Sequence, residues 1–258
     1  MFMDSFIKTG LTIISGGATW ELFKFFFPDV QRIFESRIAA KKTLYKNIDP
    51  ILKSASELFG KLESLSKEDF STFVNPDKSN SLHPEHNRKY IYFLFAQFWA
   101  HLEFIRIESQ SIALSKIKKG NQLLRFIEVI ESRKYRILDR SIQRIIGECL
   151  ITNKDQKFRI MTLNEFISEV DNPLSNLAKW ITLLENVLLS VNDKDKRQAI
   201  LRFGVIIAAL IEHFDPEYRL VRKRSLYTNK LSTKSKKMIH NHLLNHYLPF
   251  MNSNFGYI

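Results

Sequence analysis

The residues best suited to chemistry in this sequence are basic, and they are gathered in two places. Residues 219–237 carry Arg219, Arg222, Lys223, Arg224, Lys230, Lys234, Lys236 and Lys237 with no acid among them. Ser225, Thr228, Ser232, Thr233 and Ser235 are interleaved, and Tyr218 and Tyr227 add two aromatic rings. Cations for phosphates, hydroxyls for further hydrogen bonds and rings for bases make the composition of a single-strand-binding surface. A basic segment resting on anionic lipid has the same charges and needs no rings. Both partners stay open, and stacking on Tyr218 or Tyr227 is what separates them.

The second group is Arg133, Arg136, Arg140 and Arg144, at offsets 0, 3, 7 and 11. A continuous helix would put four guanidiniums on one face, where their forks match phosphate oxygens. A solvated face balanced by Glu128, Glu131, Asp139 and Glu148 explains the same spacing. If the helix restarts at Asp139 or Ser141, only Arg140 and Arg144 keep their relation. The whole chain of 258 residues has a formal net charge of +12, which points to an anionic partner.

Other chemistry is not indicated. No G-x-x-x-x-G-K-[ST], G-x-G-x-x-G or G-x-S-x-G pattern occurs, and no zinc-type cysteine spacing. The single cysteine, Cys149, excludes an intrachain disulfide and sits among Ile145, Ile146, Leu150 and Ile151 as a small hydrophobe. His83 and His86 fall in a polar loop without matching ligands. His242 and His246 are four apart but lack the glutamate and third ligand of a zinc motif. His101 reads as a core histidine. The expectation is a non-enzyme with no cofactor and no metal, whose output is mechanical.

Positioning begins at the N-terminus. Residues 9–27 form an apolar run before Pro28, about 28 Å long as a helix and close to a bilayer's hydrocarbon core of roughly 30 Å. Gly10, Gly17, Glu21 and Lys24 share one face with Ile14 beside them, and Leu11, Ala18, Leu22, Phe23 and Phe26 take the other. This predicts a single-pass membrane helix that oligomerises, with Gly10, Ile14, Gly17, Glu21 and Lys24 at the interface or lining a pore. A greasy helix docked on a soluble core is the competing reading, because two charges interrupt the run. A signal peptide fits less well, since the first residues are nearly neutral. Arg32, Arg37, Lys41, Lys42 and Lys46 against Asp29 and Glu35 put the C-terminal bulk in the cytoplasm, with a short N-terminus outside.

The remaining periodicity predicts an all-α chain: a membrane helix (1–28), a helical neck (29–65), a cytoplasmic helical bundle (66–218) and a basic C-terminal segment with a terminal amphipathic helix (219–258). Asp49-Pro50 reads as the start of a new helix over 51–62. Residues 75–87 read as a loop. A helix over 88–119 is expected to stop at Gly120. Thr162 and Glu165 form a capping-box pattern before a helix over 163–170. Helices over 174–191 and 194–214 follow, the latter ended by Asp215-Pro216.

Several of these pieces together resemble a family of bacterial membrane-anchored helical proteins. They are Trp20-Glu-Leu-Phe-Lys-Phe-Phe-Phe-Pro28, Asn47-Ile-Asp-Pro50, Phe93-Leu-Phe-Ala-Gln-Phe-Trp-Ala-His-Leu-Glu-Phe-Ile-Arg106, Ser141-Ile-Gln-Arg-Ile-Ile-Gly-Glu148 and Leu210-Ile-Glu-His-Phe-Asp-Pro216. The resemblance spans most of the first 216 residues and includes no catalytic signature. The basic segment after Arg219 is outside it. In layout and charge the chain is also similar to the transmembrane effectors of the Hailong anti-phage system, without a motif that carries residues across. That similarity implies a homo-oligomer, with a tetramer as one expectation, held silent by single-stranded DNA that a partner nucleotidyltransferase makes. Loss of the DNA would release membrane disruption.

Overall fold

A computed structural model describes residues 17–74, 84–110, 112–154 and 157–251, without the side chains of residues 17–29 and Lys154. Within them the chain is mostly helical. Helix α1 (Gly17–Lys67) is unbroken through Pro28 and Pro50. This corrects the helix start expected at Asp49. An interior proline costs about 3 kcal/mol, but Leu44, Ile48, Ile51, Leu52 and Ala55 are all buried around Pro50. Burying several such side chains at about 1.5–3 kcal/mol each outweighs the lost bond. The stretch read as a neck is thus one rod, whose residues 40–65 supply Ala40, Leu58, Phe59, Leu62 and Leu65 to the core as well.

The same rod looks different before residue 40. Val30, Ile33, Phe34 and Ile38 are 61%, 51%, 57% and 53% exposed. Val30, Ile33 and Phe34 precede the buried Ile48, Ile51 and Leu52 by eighteen residues, which is five turns. The core-facing stripe therefore continues along α1 with nothing packed on it among the described residues. No described helix is long and apolar enough to cross a membrane. Of the residues expected at a membrane interface, Gly10 and Ile14 lie outside the described residues. Gly17, Glu21 and Lys24 fall within α1, where only the backbone is described.

At the end of α1 the chain turns through Asp69 and Phe70, both in left-handed backbone (φ 49° and 60°), into the short α2 (Ser71–Val74). Helix α3 (Pro84–Glu108) is the central one, buried from Ile91 to Ala96 and again at Phe98, Trp99, Ala100, Leu102 and Ile105. Its Phe95 and Phe98 meet Phe203 with ring centroids 5.8 and 6.4 Å apart. The helix expected to reach Lys119 stops at Glu108. A 3₁₀ turn (Leu114–Lys116) intervenes before α4 (Lys118–Glu131), and Gly120 lies in the first turn of α4. A Cβ at Gly120 would collide with the Leu114 carbonyl, so this glycine permits a close approach rather than ending a helix.

Helix α5 (Arg140–Cys149) is capped by Asp139, which accepts from the Ser141 N–H, and Gly147 lets it approach the α3 backbone at Trp99. Between α5 and the next helix, β1 (Ile151–Lys154) and β2 (Lys157–Ile160) form an antiparallel hairpin with Ile151 opposite Ile160. Helix α6 (Leu163–Asp171) opens on the full capping box of Thr162 and Glu165. Helix α7 (Asn176–Leu189) buries Leu177, Ile181, Leu184 and Leu188. Helix α8 (Lys194–Phe214) is buried on most sides and ends at Asp215-Pro216. The C-terminal layer comprises an irregular stretch, a 3₁₀ turn (Thr228–Lys230), α9 (Thr233–Met238) and a π-helix (Ile239–Tyr247) where a regular amphipathic helix was expected.

Candidate nucleic-acid interface

The basic segment after α8 is laid on the bundle by three anchors. The buried Asp215 carboxylate accepts the backbone N–H groups of Arg219, Leu220 and Val221 at 2.8, 2.9 and 3.1 Å. Tyr227 enters the core, donates its hydroxyl to the Leu201 carbonyl (3.1 Å) and packs on Phe59, centroids 5.8 Å apart. The Gln198 amide donates to the Lys230 carbonyl (2.9 Å) and accepts from the Ser232 N–H (2.8 Å). Val221, Leu231, Ile239, Leu243 and Leu248 join the common core. Asp215 had read only as a helix stop; its second role depends on where the chain returns.

These anchors decide which predicted contacts reach the surface. Tyr227 does not: it is 4% exposed, and burial pushes its phenol far above the ordinary range. As a stacking platform it is withdrawn. Tyr218, with left-handed backbone (φ 52°), keeps part of its ring at the surface, with Lys223 Nζ 5.4 Å from the ring centroid. Arg219 pairs with Glu217, and Lys230 with Asp69 at 2.8 Å. Arg224 lies half-buried over Gly60, 3.9 Å from Glu63. Arg222, Lys234, Lys236 and Lys237 have no acidic partner among the described residues, and all but the half-buried Lys236 are exposed.

The arginine stripe divides. Helix α4 ends at Glu131 and α5 starts at Arg140, so Arg133 and Arg136 lie in the connecting turn and the four-residue face does not form. Arg136 pairs with Asp139 at 2.7 Å. Arg140 and Arg144 turn to Glu131: Arg140 Nε is 2.9 Å from one carboxylate oxygen, and Arg144 donates through Nε and Nη2, both at 3.1 Å. Arg106 of α3 bridges Glu131 to Glu103. Both glutamates have side chains only 8% exposed. Burial raises the Glu103 pKa against the pull of Arg106. Burial acts the same way on Glu131, but the hydrogen bond from Arg144 and the charge of Arg106 outweigh it and hold its pKa low. Arg140 and Arg144 are therefore ties between α3, α4 and α5, not free phosphate ligands.

Arg133 is exposed and without an ion-pair partner among the described residues, and the turn that carries it joins the C-terminal layer. Tyr135 donates to the Met238 carbonyl (3.1 Å), and Lys134 Nζ lies 3.5 Å from His242 Nδ1. Lys134 and the π-helix thus share one surface, with Arg133 next to Lys134 in the turn. In the sequence Lys134 stands outside the Arg–Arg spacing, so that pattern gives no sign of it. His242 and His246 are exposed, and no cluster of potential metal ligands occurs among the described residues. His86 is also exposed, and His83 lies outside the described residues. His101 is half-buried, and burial lowers its pKa to about 4. Comparison with known proteins finds no matching family model, no matching curated protein and no matching solved structure.

Proposed function

We propose that this chain binds a single-stranded oligonucleotide on its C-terminal layer and uses α1 to couple that binding to an oligomeric, membrane-anchored assembly. What carries the reading is the group Arg222, Lys234, Lys236 and Lys237, without acidic partners among the described residues and on a layer that also receives Lys134. Phosphate contacts then come from these cations, and stacking from Tyr218. The uncovered stripe of Val30, Ile33, Phe34 and Ile38 supports a second helix or lipid against α1. In this reading the chain is an anti-phage effector without enzymatic activity. Its ligand, made by a partner nucleotidyltransferase, favours one arrangement of the subunits through differential affinity.

The test is binding of short single strands to the full-length protein in detergent across a salt series. Affinity falling steeply with salt is expected; affinity that barely changes would overturn the reading. A second reading is a membrane-tethered scaffold for anionic lipid, favoured by Arg32, Arg37, Lys41 and Lys42 beside the uncovered stripe, all of them exposed. Flotation with anionic but not neutral vesicles, without strand binding, would select it.

A further inference from the structure

A cleft of about 300 Å³ opens between the end of α1 and the start of α8, lined by Asp69, Phe70, Asn192, Lys194, Arg197 and Lys230 among others. Three cations face it against one carboxylate. We propose that this cleft takes a terminal phosphate, a phosphomonoester dianion, in exchange for Asp69. The proposal rests on the oligonucleotide reading above and names which part of the strand the cleft holds.

The donors are arranged for such a group. Arg197 is held from behind, because its Nε donates to the Val191 carbonyl (2.9 Å) and its Cζ sits 5.9 Å from the Phe70 ring centroid. Its terminal nitrogens have no partner among the described residues, so a positioned guanidinium edge remains for a planar or tetrahedral anion. Lys194 is exposed and likewise unpaired among the described residues. Lys230 is occupied, but by an exposed partner: the Asp69 carboxylate, 2.8 Å away and 68% exposed. That bond, chiefly, holds the Asp69 pKa low.

Asp69 is delivered by an unusual turn. It and Phe70 both have positive φ, a conformation rare for a bulky side chain, and the Phe70 ring is 1% exposed. Burial of the ring holds the turn and so keeps the carboxylate in place. A carboxylate brings one negative charge, as does an internal phosphodiester. A terminal phosphate brings close to two at neutral pH, so it competes best for three cations. The cleft also adjoins the binding layer, since Lys230 precedes the α9 cap Ser232 by two residues. A strand on Lys234, Lys236 and Lys237 can end there.

The experiment uses full-length protein in detergent and one strand with three end chemistries: 5′-phosphate, 3′-phosphate, and hydroxyl at both ends. One phosphorylated form should bind at least five-fold more tightly than the hydroxyl form. Lys194→Gln should abolish that difference while leaving hydroxyl-ended binding within two-fold. Asp69→Asn should widen it, and asparagine tolerates the left-handed backbone. Equal affinity for all three ends, with steep salt dependence retained, overturns the cleft and leaves the oligonucleotide reading standing. If no strand binds, that reading fails and calorimetry with inorganic phosphate decides the cleft alone. Binding lost in Lys194→Gln supports it, and no binding to the wild type overturns it.

Discussion

Two basic regions of this molecule look alike as residue types and behave oppositely. Around Glu131, the cations Arg106, Arg140 and Arg144 are consumed by two buried carboxylates from α3 and α4. On the C-terminal layer, Arg222, Lys234, Lys236 and Lys237 find no carboxylate among the described residues. Of the four acids that the sequence sets against the arginine stripe, Glu131 captures Arg140 and Arg144 and Asp139 pairs with Arg136, while Glu128 lies beside Arg125. Glu103, far upstream on another helix, adds a second carboxylate 4.0 Å from Arg144. A run of positive charge is thus a ligand surface only where the fold fails to bring an acid to it. Net charge measures the sum and says nothing of that division.

The largest expected effect comes from breaking the first region. Glu131→Gln leaves three guanidiniums against Glu103 alone, and removing one partner of a buried ion pair costs about 3–5 kcal/mol. Chemical denaturation at neutral pH measures it. The wild-type pH profile should agree in sign. The Glu131 pKa is held below the ordinary glutamate range, so the native state binds fewer protons than the unfolded chain near that range. Its stabilisation is present above the unfolded pKa and is lost as pH falls through the folded one. Glu131→Gln should flatten that part of the acid limb. The same variant sharpens the comparison, because freed Arg140 and Arg144 would resemble the second region. The salt slope of strand binding should then rise by roughly 0.7 per added phosphate contact.

How much of this was legible depends on distance along the chain. The Thr162–Glu165 capping box and the stop at Asp215-Pro216 are written within a few residues, and both are present. At Pro50 the local cost is visible in the sequence, whereas the burial that outweighs it comes from the packing of α1 on α3 and α8. The hairpin at Ile151–Lys154 and Lys157–Ile160 has too few residues for a period-two signal to emerge. In the candidate interface, the basic composition was plain. Which cations stay free was legible only in part: Glu131 and Asp139 stand close to the arginine stripe in sequence, whereas Asp69 and Glu63 meet Lys230 and Arg224 only after folding.

A smaller effect tests the second region. Changing Lys234, Lys236 and Lys237 together to Gln removes three candidate phosphate contacts from α9. At about 0.7 per contact on a single strand, the slope of log affinity against log salt should fall by about 2. The melting temperature should stay within a degree or two, since these side chains make no ion pair among the described residues. A large drop in stability with an unchanged slope would mean that these lysines are structural, and the contrast with the Glu131 network would vanish.

The smallest expected effect concerns Tyr227, which lies in the basic segment but belongs to the core. If it stacked on bases, Tyr227→Phe would leave binding nearly intact, since phenylalanine stacks too, and would leave stability unchanged. In the buried position the hydroxyl is bonded to the Leu201 carbonyl beside Gly204, where a Cβ would collide with it. Losing that bond should cost about 1 kcal/mol of unfolding free energy with no change in strand affinity. Gly204→Ala supplies the complementary test. It adds a methyl where the phenol oxygen sits, and overpacking of this kind costs about 1–3 kcal/mol. In the Tyr227→Phe background that cost should shrink, because the atom struck is gone. Such coupling, read in a double-mutant cycle, would fix the ring inside the bundle and leave Tyr218 as the aromatic of this segment able to meet a base.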